Sequence, residues 1–232
     1  MDPLTQADLD ALAALDTPTV CNALEVVAPE RRGSGYTVEP FFCPRPDLAP
    51  IVGYARTATI RSMQPSERDA AGDTAARLDY YEHIASGDGP TITVIEDLDA
   101  VPGYGAWWGE VNTNIHAGLG SLGVVTNGSI RDLDDAAEGF QMLAGMANPS
   151  HAWVRIVEHA VTVTVHGMTV TPGDLIHADQ HGAVVVPVAV ARDVPAAAAK
   201  IAAAEARIIS ASQRDGFSVA VLRDLLGGGA GH

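Results

Sequence analysis

Lysine is almost missing from this chain: among 14 lysines and arginines, only Lys200 is a lysine. It stands in VPAAAAKIAAAEARI, an alanine-rich run that reads as a helix. Schiff-base chemistry needs a lysine desolvated in a pocket, and a phosphate loop needs one directly after glycine. Neither context is evident here, so neither mechanism is expected. Cysteine is scarce too. Cys21 and Cys43 are too few for a disulfide framework and form no CxxC pair, which suits a reducing, cytoplasmic location. No apolar run approaches the roughly 18 residues that span a bilayer, and MDPLTQADLDALAAL opens with acids rather than a basic leader. Neither export nor membrane insertion is expected. Clusters of positive charge are also lacking, and the net charge is −15, so nucleic acid is not an expected partner. The same field repels a small anionic substrate, which would need a local cation to hold it.

What is present is globular. Hydrophobic residues make up 47% and charged residues 19% of the 232, enough for one well-buried domain spanning 1–232. Leu9, Leu12 and Leu15 recur at helical spacing behind a Thr5 cap, and a second helix is expected from about Thr17 to Val26. Residues 29–50, rich in Gly, Pro and Arg, show no period and read as irregular, a lid or an oligomer contact. VGYARTATIRS alternates as a strand, SERDAAGDTAARLDYYEHIAS as a helix, and TITVIEDL as a short buried strand. YGAWWGEVNTNIHAGLGSLG is expected to be a glycine-broken helical stretch, GVVTNGSI a second buried strand, and LDDAAEGFQMLAGM a helix. From Trp153 to Val190 nearly everything reads as β, with turns at His166-Gly167, Pro172-Gly173 and Gln180-His181-Gly182. A final helix spans Val194 to about Ser212, followed by a glycine-rich tail. Strand, helix, strand predicts a parallel crossover with a cleft at the strands' C-terminal ends. The layout is α/β, a sandwich with helices on one side of a sheet and a second β layer on the other.

That cleft is where chemistry is expected. Arg-Asp pairs also occur at Arg68, Arg192, Arg214 and Arg223, so the dipeptide by itself says nothing. Arg131-Asp132 is distinguished by following a buried strand and the small-residue turn Thr126-Asn127-Gly128-Ser129; the plain alternative is that Asp132 caps a following helix. Glu110 opens the preceding helical stretch. Two carboxylates converging with an arginine can hold a hard cation through oxygen and water, while the guanidinium grips a carboxylate with two prongs. Gly103-Tyr104-Gly105-Ala106-Trp107-Trp108-Gly109 is one residue too long for a dinucleotide loop. Its better role is to aim the backbone amides of Gly109, Val111 and Asn112 at a developing oxyanion. His177 and His181 sit four apart around a turn without HExxH, which reads as a surface turn rather than a zinc site.

WGEVNTNIHAGLGSLGVVTNGSIRDLDD and VTVHGMTVTPGDLIHADQHGAVVVP resemble the RraA-like superfamily, which contains metal-dependent 4-hydroxy-4-methyl-2-oxoglutarate aldolases and protein regulators of ribonuclease E. The resemblance covers roughly 50–210 and rests on a glycine, a spacer, Arg-Asp, two residues and an acid: here Gly109 with Glu110, Arg131, Asp132 and Asp135. It implies a three-layer α/β/β sandwich of the swivelling type, assembled as a homotrimer or hexamer, with the segments about 1–50 and about 194–212 as contacts between copies. It implies Mg2+ or Mn2+ on Asp132, largely through water, with Glu110 linked through water and Asp135 supporting. Arg131 would hold a 2-oxo acid, and Glu205, from a neighbouring subunit's C-terminal helix, would complete the site. Glu110 stands where the family usually has Asp. The implied activity is cleavage of a 4-hydroxy-2-oxo acid to pyruvate, with oxaloacetate decarboxylation beside it; the alternative is a non-catalytic regulator that binds protein.

Overall fold

The computed structural model describes residues 2–227. Two helices open the chain. In α1 (Gln6–Ala13) Thr5 and Asp8 cap each other reciprocally, and in α2 (Thr17–Val27) Asp16 accepts from the Thr19 amide at 2.8 Å. One 3₁₀ turn, Pro29–Arg31, follows, and the rest of the stretch to Pro50 is irregular, as its composition predicts. β1 (Ile51–Arg61) is the long central strand. α3 (Ala70–Ile84), capped by Asp69, leads to β2 (Thr91–Asp97), which lies parallel to β1.

The next segment departs from its helical reading. Ala106–Trp108 is a short strand, β3, and only Glu110–Gly118 is helix, α4. β4 (Ser121–Thr126) then returns parallel to β2, and β5 (Ser129–Ile130) pairs in parallel with β3. The helix expected over 133–146 does not form. A turn occupies its first half, Gly139 adopts φ +71°, and the rest is two short strands, β6 (Gln141–Leu143) and β7 (Met146–Ala147). Met142 and Leu143 point into cores on opposite sides of the sheet, a period of two that helical geometry cannot supply. The all-β reading then holds through β8 (Arg155–His159), β9 (Val163–Val165), β10 (Met168–Val170), β11 (Leu175–Asp179) and β12 (Gly182–Val186). After them comes α5 (Val194–Ser212), at the bounds its sequence predicts, and α6 (Val219–Gly227), which the sequence reading missed. The glycine-rich tail beyond it lies outside the described residues.

The main sheet runs β12-β11-β1-β2-β4-β6, with β8 pairing the far half of β1. Three apolar clusters fill its two faces. On one face α3 buries Tyr80 and Ile84, together with Trp108 of β3 and Phe140 of the turn before β6, against Ile60, Ile95, Val124 and Met142 of the sheet. At the β11–β12 end of the sheet, α1, α2 and α5 bury Leu12, Val20, Leu24 and Val194 against Leu175, Val184 and Val186. On the opposite face the β9–β10 hairpin places Val163, Val165, Met168 and Val170 against Ile92, Val94, Leu143 and Ile176. Helices, sheet and hairpin are thus three layers, as the α/β reading anticipates. Among the described residues no helix is long and apolar enough to cross a membrane.

His177 is a correction. It is fully buried on β11, where its ring meets the Thr17 hydroxyl at 3.0 Å and the Leu15 carbonyl at 3.0 Å, and so it pins α1 and α2 to the sheet. Only His181 occupies the turn.

Candidate functional site

The three-stranded parallel sheet β3-β5-β7 builds the site. Trp108 and Ile130 are register partners, and the Arg131 amide donates to the Trp108 carbonyl at 2.9 Å. Parallel strands end side by side, so the residues following them, Gly109-Glu110 and Arg131-Asp132, are neighbours although 22 positions apart in sequence. The strand that carries Glu110 is β3, not the longer β2 expected from sequence.

No helix follows Asp132, so it caps none of its own. Its backbone is left-handed, φ +51°, a conformation that Asp tolerates better than most residues. This swings its carboxylate over α4, where Oδ2 accepts from the Glu110 amide at 3.3 Å; Gly109, the N-cap, offers no side chain for the purpose. Arg131 Nε lies 3.7 Å from the same oxygen. Both side chains are about one-third exposed, so the pair faces solvent and its mutual attraction is weak. Gly109 is required by space rather than by backbone angle: a Cβ there would stand 2.5 Å from Asp132 Oδ2 and 3.1 Å from Arg131 Cγ.

Thr113 joins the two halves. Its hydroxyl lies 2.9 Å from the Gly109 carbonyl and 3.0 Å from the Glu110 carbonyl, and it accepts from the Ala137 amide at 3.0 Å. Behind it, α4 rests on a buried polar network. Tyr81 Oη donates to Asn112 Oδ1 at 2.7 Å, and Asn112 Nδ2 donates to the Trp107 carbonyl at 2.5 Å. His116 is fully buried, its ring 4.4 Å from that of Trp108 between centroids. Burial holds its pKa down to about 4, so the ring is neutral at ordinary pH. Nδ1 faces the Asn112 carbonyl, which can only accept, at 2.6 Å. The tautomer therefore leaves Nε2 to accept from Tyr80 Oη, also at 2.6 Å. Sequence reading missed Thr113, Tyr80 and His116; a histidine in the helix that follows two tryptophans was the available signal.

Among the described residues no three His, Cys, Asp or Glu side chains form a ready metal cage. Mg2+ needs none, since it is habitually held by one or two carboxylates with water completing its shell. Asp132 suits that role: a hard oxygen donor with one amide contact and an exposed face. Glu110, whose backbone amide meets Asp132, is exposed, and its carboxylate makes no hydrogen bond or ion pair among the described residues; Asp135 is exposed three residues on. The first-turn amides of Val111 and Asn112 precede any intrahelical acceptor and carry the positive end of the helix dipole. The arrangement can therefore hold a cation, a carboxylate and a developing oxyanion within one small region. Glu205 is not among these residues. It lies on α5 beyond Ala198, the last buried residue of that helix, and forms no hydrogen bond or ion pair with Arg131, Asp132 or Glu110. Lys200 is exposed on the same helix.

Residues 17–185 match the family model described as RraA-like, Aldolase/RraA. Comparison with curated proteins finds no match. Among solved structures, the chain is similar to an uncharacterised protein from Pseudomonas syringae pv. tomato, with 25% identity, 96% of this chain and 95% of that one covered, and a TM-score of 0.71. A structure described among novel cellulases from gut-associated microbes shares 18% identity over 89% of each chain, TM-score 0.73. RraAS2 of Streptomyces coelicolor, described as an unusual member of the RNase ES inhibitor RraA family, shares 23% over 85% of this chain and 94% of its own, TM-score 0.65. At these identities the last two likenesses concern the fold alone.

Proposed function

The chain belongs to the RraA-like family, and we propose that within it the protein is a divalent-metal-dependent lyase that cleaves a 4-hydroxy-2-oxo acid to pyruvate and a carbonyl product. The observation that carries this reading is the meeting of Arg131-Asp132 with the N-terminus of α4 at the ends of two paired parallel strands. A surface that only bound protein would have no use for an acid held in a left-handed conformation over a helix N-terminus, beside an arginine.

Asp132 would hold Mg2+ or Mn2+ largely through water, with Glu110 reaching it through water and Asp135 in support. When bound, the ion supplies a Lewis acid for the 2-oxo group. Arg131 takes the substrate carboxylate in a planar two-pronged grip. A water ordered by Glu110, and by Glu205 from a second copy, accepts the C4 hydroxyl proton. The C3–C4 bond then breaks as the C4 carbonyl forms, and the electron pair passes to the pyruvate enolate. The amides of Gly109, Val111 and Asn112 face the charge that develops there. Protonation at C3 completes pyruvate. Oxaloacetate loses CO2 through the same enolate, so its decarboxylation is an expected side activity.

A homotrimer or hexamer fits this scheme. Beyond Ala198 no residue of α5 or α6 is fully buried, and Ile209 and Val219 are exposed, which supports the reading that this arm meets another copy. The competing reading, a protein-binding regulator, draws on the likeness to RraAS2 and on the acidic surface.

The test is pyruvate release from a panel of 4-hydroxy-2-oxo acids with and without Mg2+ or Mn2+, beside calorimetry of oxalate, a planar mimic of the enolate. Metal-dependent turnover and metal-dependent oxalate binding are expected. Oxalate affinity indifferent to metal, with no substrate turned over, would favour the regulator.

A further inference from the structure

The irregular segment before β1 contains an arginine fixed between two prolines, Pro44-Arg45-Pro46. Pro46 confines Arg45 to extended backbone, so its side chain is presented from a stiff support. The support is itself fastened. Phe42 and Ala144 exchange backbone hydrogen bonds at 2.6 and 3.0 Å, and Gln141 Nε2 donates to the Arg45 carbonyl at 3.3 Å.

From there the half-buried guanidinium reaches 88 to 92 positions ahead in sequence to three carbonyls of one turn. Nη1 donates to Ala137 at 2.6 Å; Nη2 donates to Ala136 at 2.7 Å and to Leu133 at 3.4 Å. The Ala137 amide donates to Thr113, so this peptide is gripped from both sides. The turn begins at Asp132, whose carbonyl accepts from the Asp135 amide at 3.1 Å. It also carries Asp134, Asp135 and Glu138, three exposed carboxylates that repel one another and Asp132.

We propose that Arg45 is a positioning residue for the cation-binding turn: it holds Asp132 and Asp135 in place through the turn's carbonyls without touching the cation or the substrate. The inference rests on the metal-dependent reading above. The alternative, a bystander charge, makes the opposite prediction. A nearby positive charge weakens cation binding, so deleting a mere bystander would tighten it, whereas deleting a clamp loosens it. The sign therefore decides between them.

The experiment compares the full-length protein with Arg45→Ala and Arg45→Lys, using Mn2+ alone as probe in calorimetry and hydrogen exchange at the Asp135 and Ala137 amides. Mn2+ affinity is expected to fall about tenfold in Arg45→Ala, the scale on which outer-shell partners act on a metal site. Arg45→Lys, which keeps the charge without the fork, should fall between. Exchange at both amides should quicken. Should the alanine variant not fold, the lysine variant carries both comparisons. Unchanged or tighter Mn2+ binding, or unchanged exchange, overturns the clamp. If the wild-type protein binds no Mn2+, the lyase reading fails on that result alone, and the exchange rates still judge whether Arg45 holds the turn.

Discussion

Gly109→Ala isolates the site from the fold. The backbone at 109 is extended, φ −168°, which alanine adopts freely, so no conformational cost arises there. The added methyl would lie 2.5 Å from Asp132 Oδ2, and ordinary van der Waals contact begins at 3.4 Å. The carboxylate must therefore retreat by about 0.9 Å, the difference between those two distances. Because the displaced atom ends a partly exposed side chain, stability should change by less than about 1 kcal/mol, the scale of well-tolerated surface changes. Catalysis is less forgiving: a misplacement near 1 Å is worth about a hundredfold in rate, or roughly 2.7 kcal/mol of barrier. Circular dichroism melting should thus be near normal while metal-dependent pyruvate release falls about a hundredfold. Wild-type turnover by a folded Gly109→Ala protein would refute the view that Asp132 acts from the position described.

Arg131→Lys should lose most turnover through a raised KM, since an ammonium cannot reproduce the planar grip on a carboxylate; steady-state kinetics with KM unchanged would move substrate binding elsewhere. His116, with its pKa near 4, titrates below the ordinary value of 6.5. As pH falls from about 6.5 to about 4 the unfolded chain takes up that proton first, and stability of order 3 kcal/mol is lost across this window while remaining intact above it. Melting temperatures of His116→Gln should be lower at pH 7 yet fall less steeply towards pH 4, and an unaltered slope would contradict the assignment. Mixing inactive Asp132→Ala protomers with inactive Glu205→Gln protomers should regenerate some activity if Glu205 crosses between copies; no recovery from mixtures proven to exchange subunits confines the site to one chain.

Where local chemistry decides, the sequence was readable. Thr5 and Asp16 cap their helices, α5 keeps its expected bounds, and the turns from His166 to Gly182 fall where glycine places them. Reading failed where a distant residue overrides propensity. Leu133, Ala136, Ala137 and Phe140 recur at helical spacing, but in the turn the carbonyls of Leu133 and Ala136 accept from Arg45, and that of Ala137 is shared between Arg45 and the Phe140 amide three residues on, so no helical ladder forms. Nothing near them in sequence announces that donor. Strand β3 was missed because three residues show no period; it exists through its pairing with β5. Arg131, Asp132 and Gly109 were singled out through motif and position, while Thr113 and the Tyr80–His116 pair act through contacts between elements that spacing along the chain does not show.

The left-handed backbone at Asp132 restricts which sequences can explore this site. Glutamate, the other acid, would add a methylene and also give up the short side chain that makes φ +51° tolerable, so lengthening the carboxylate here is a double change. Asparagine keeps both the shape and the conformational tolerance and removes only the charge. Drift through this position, in nature or in a mutant library, therefore passes most easily from an acid to its amide, and a copy carrying that amide would keep its shape while giving up the negative charge that the proposed cation requires.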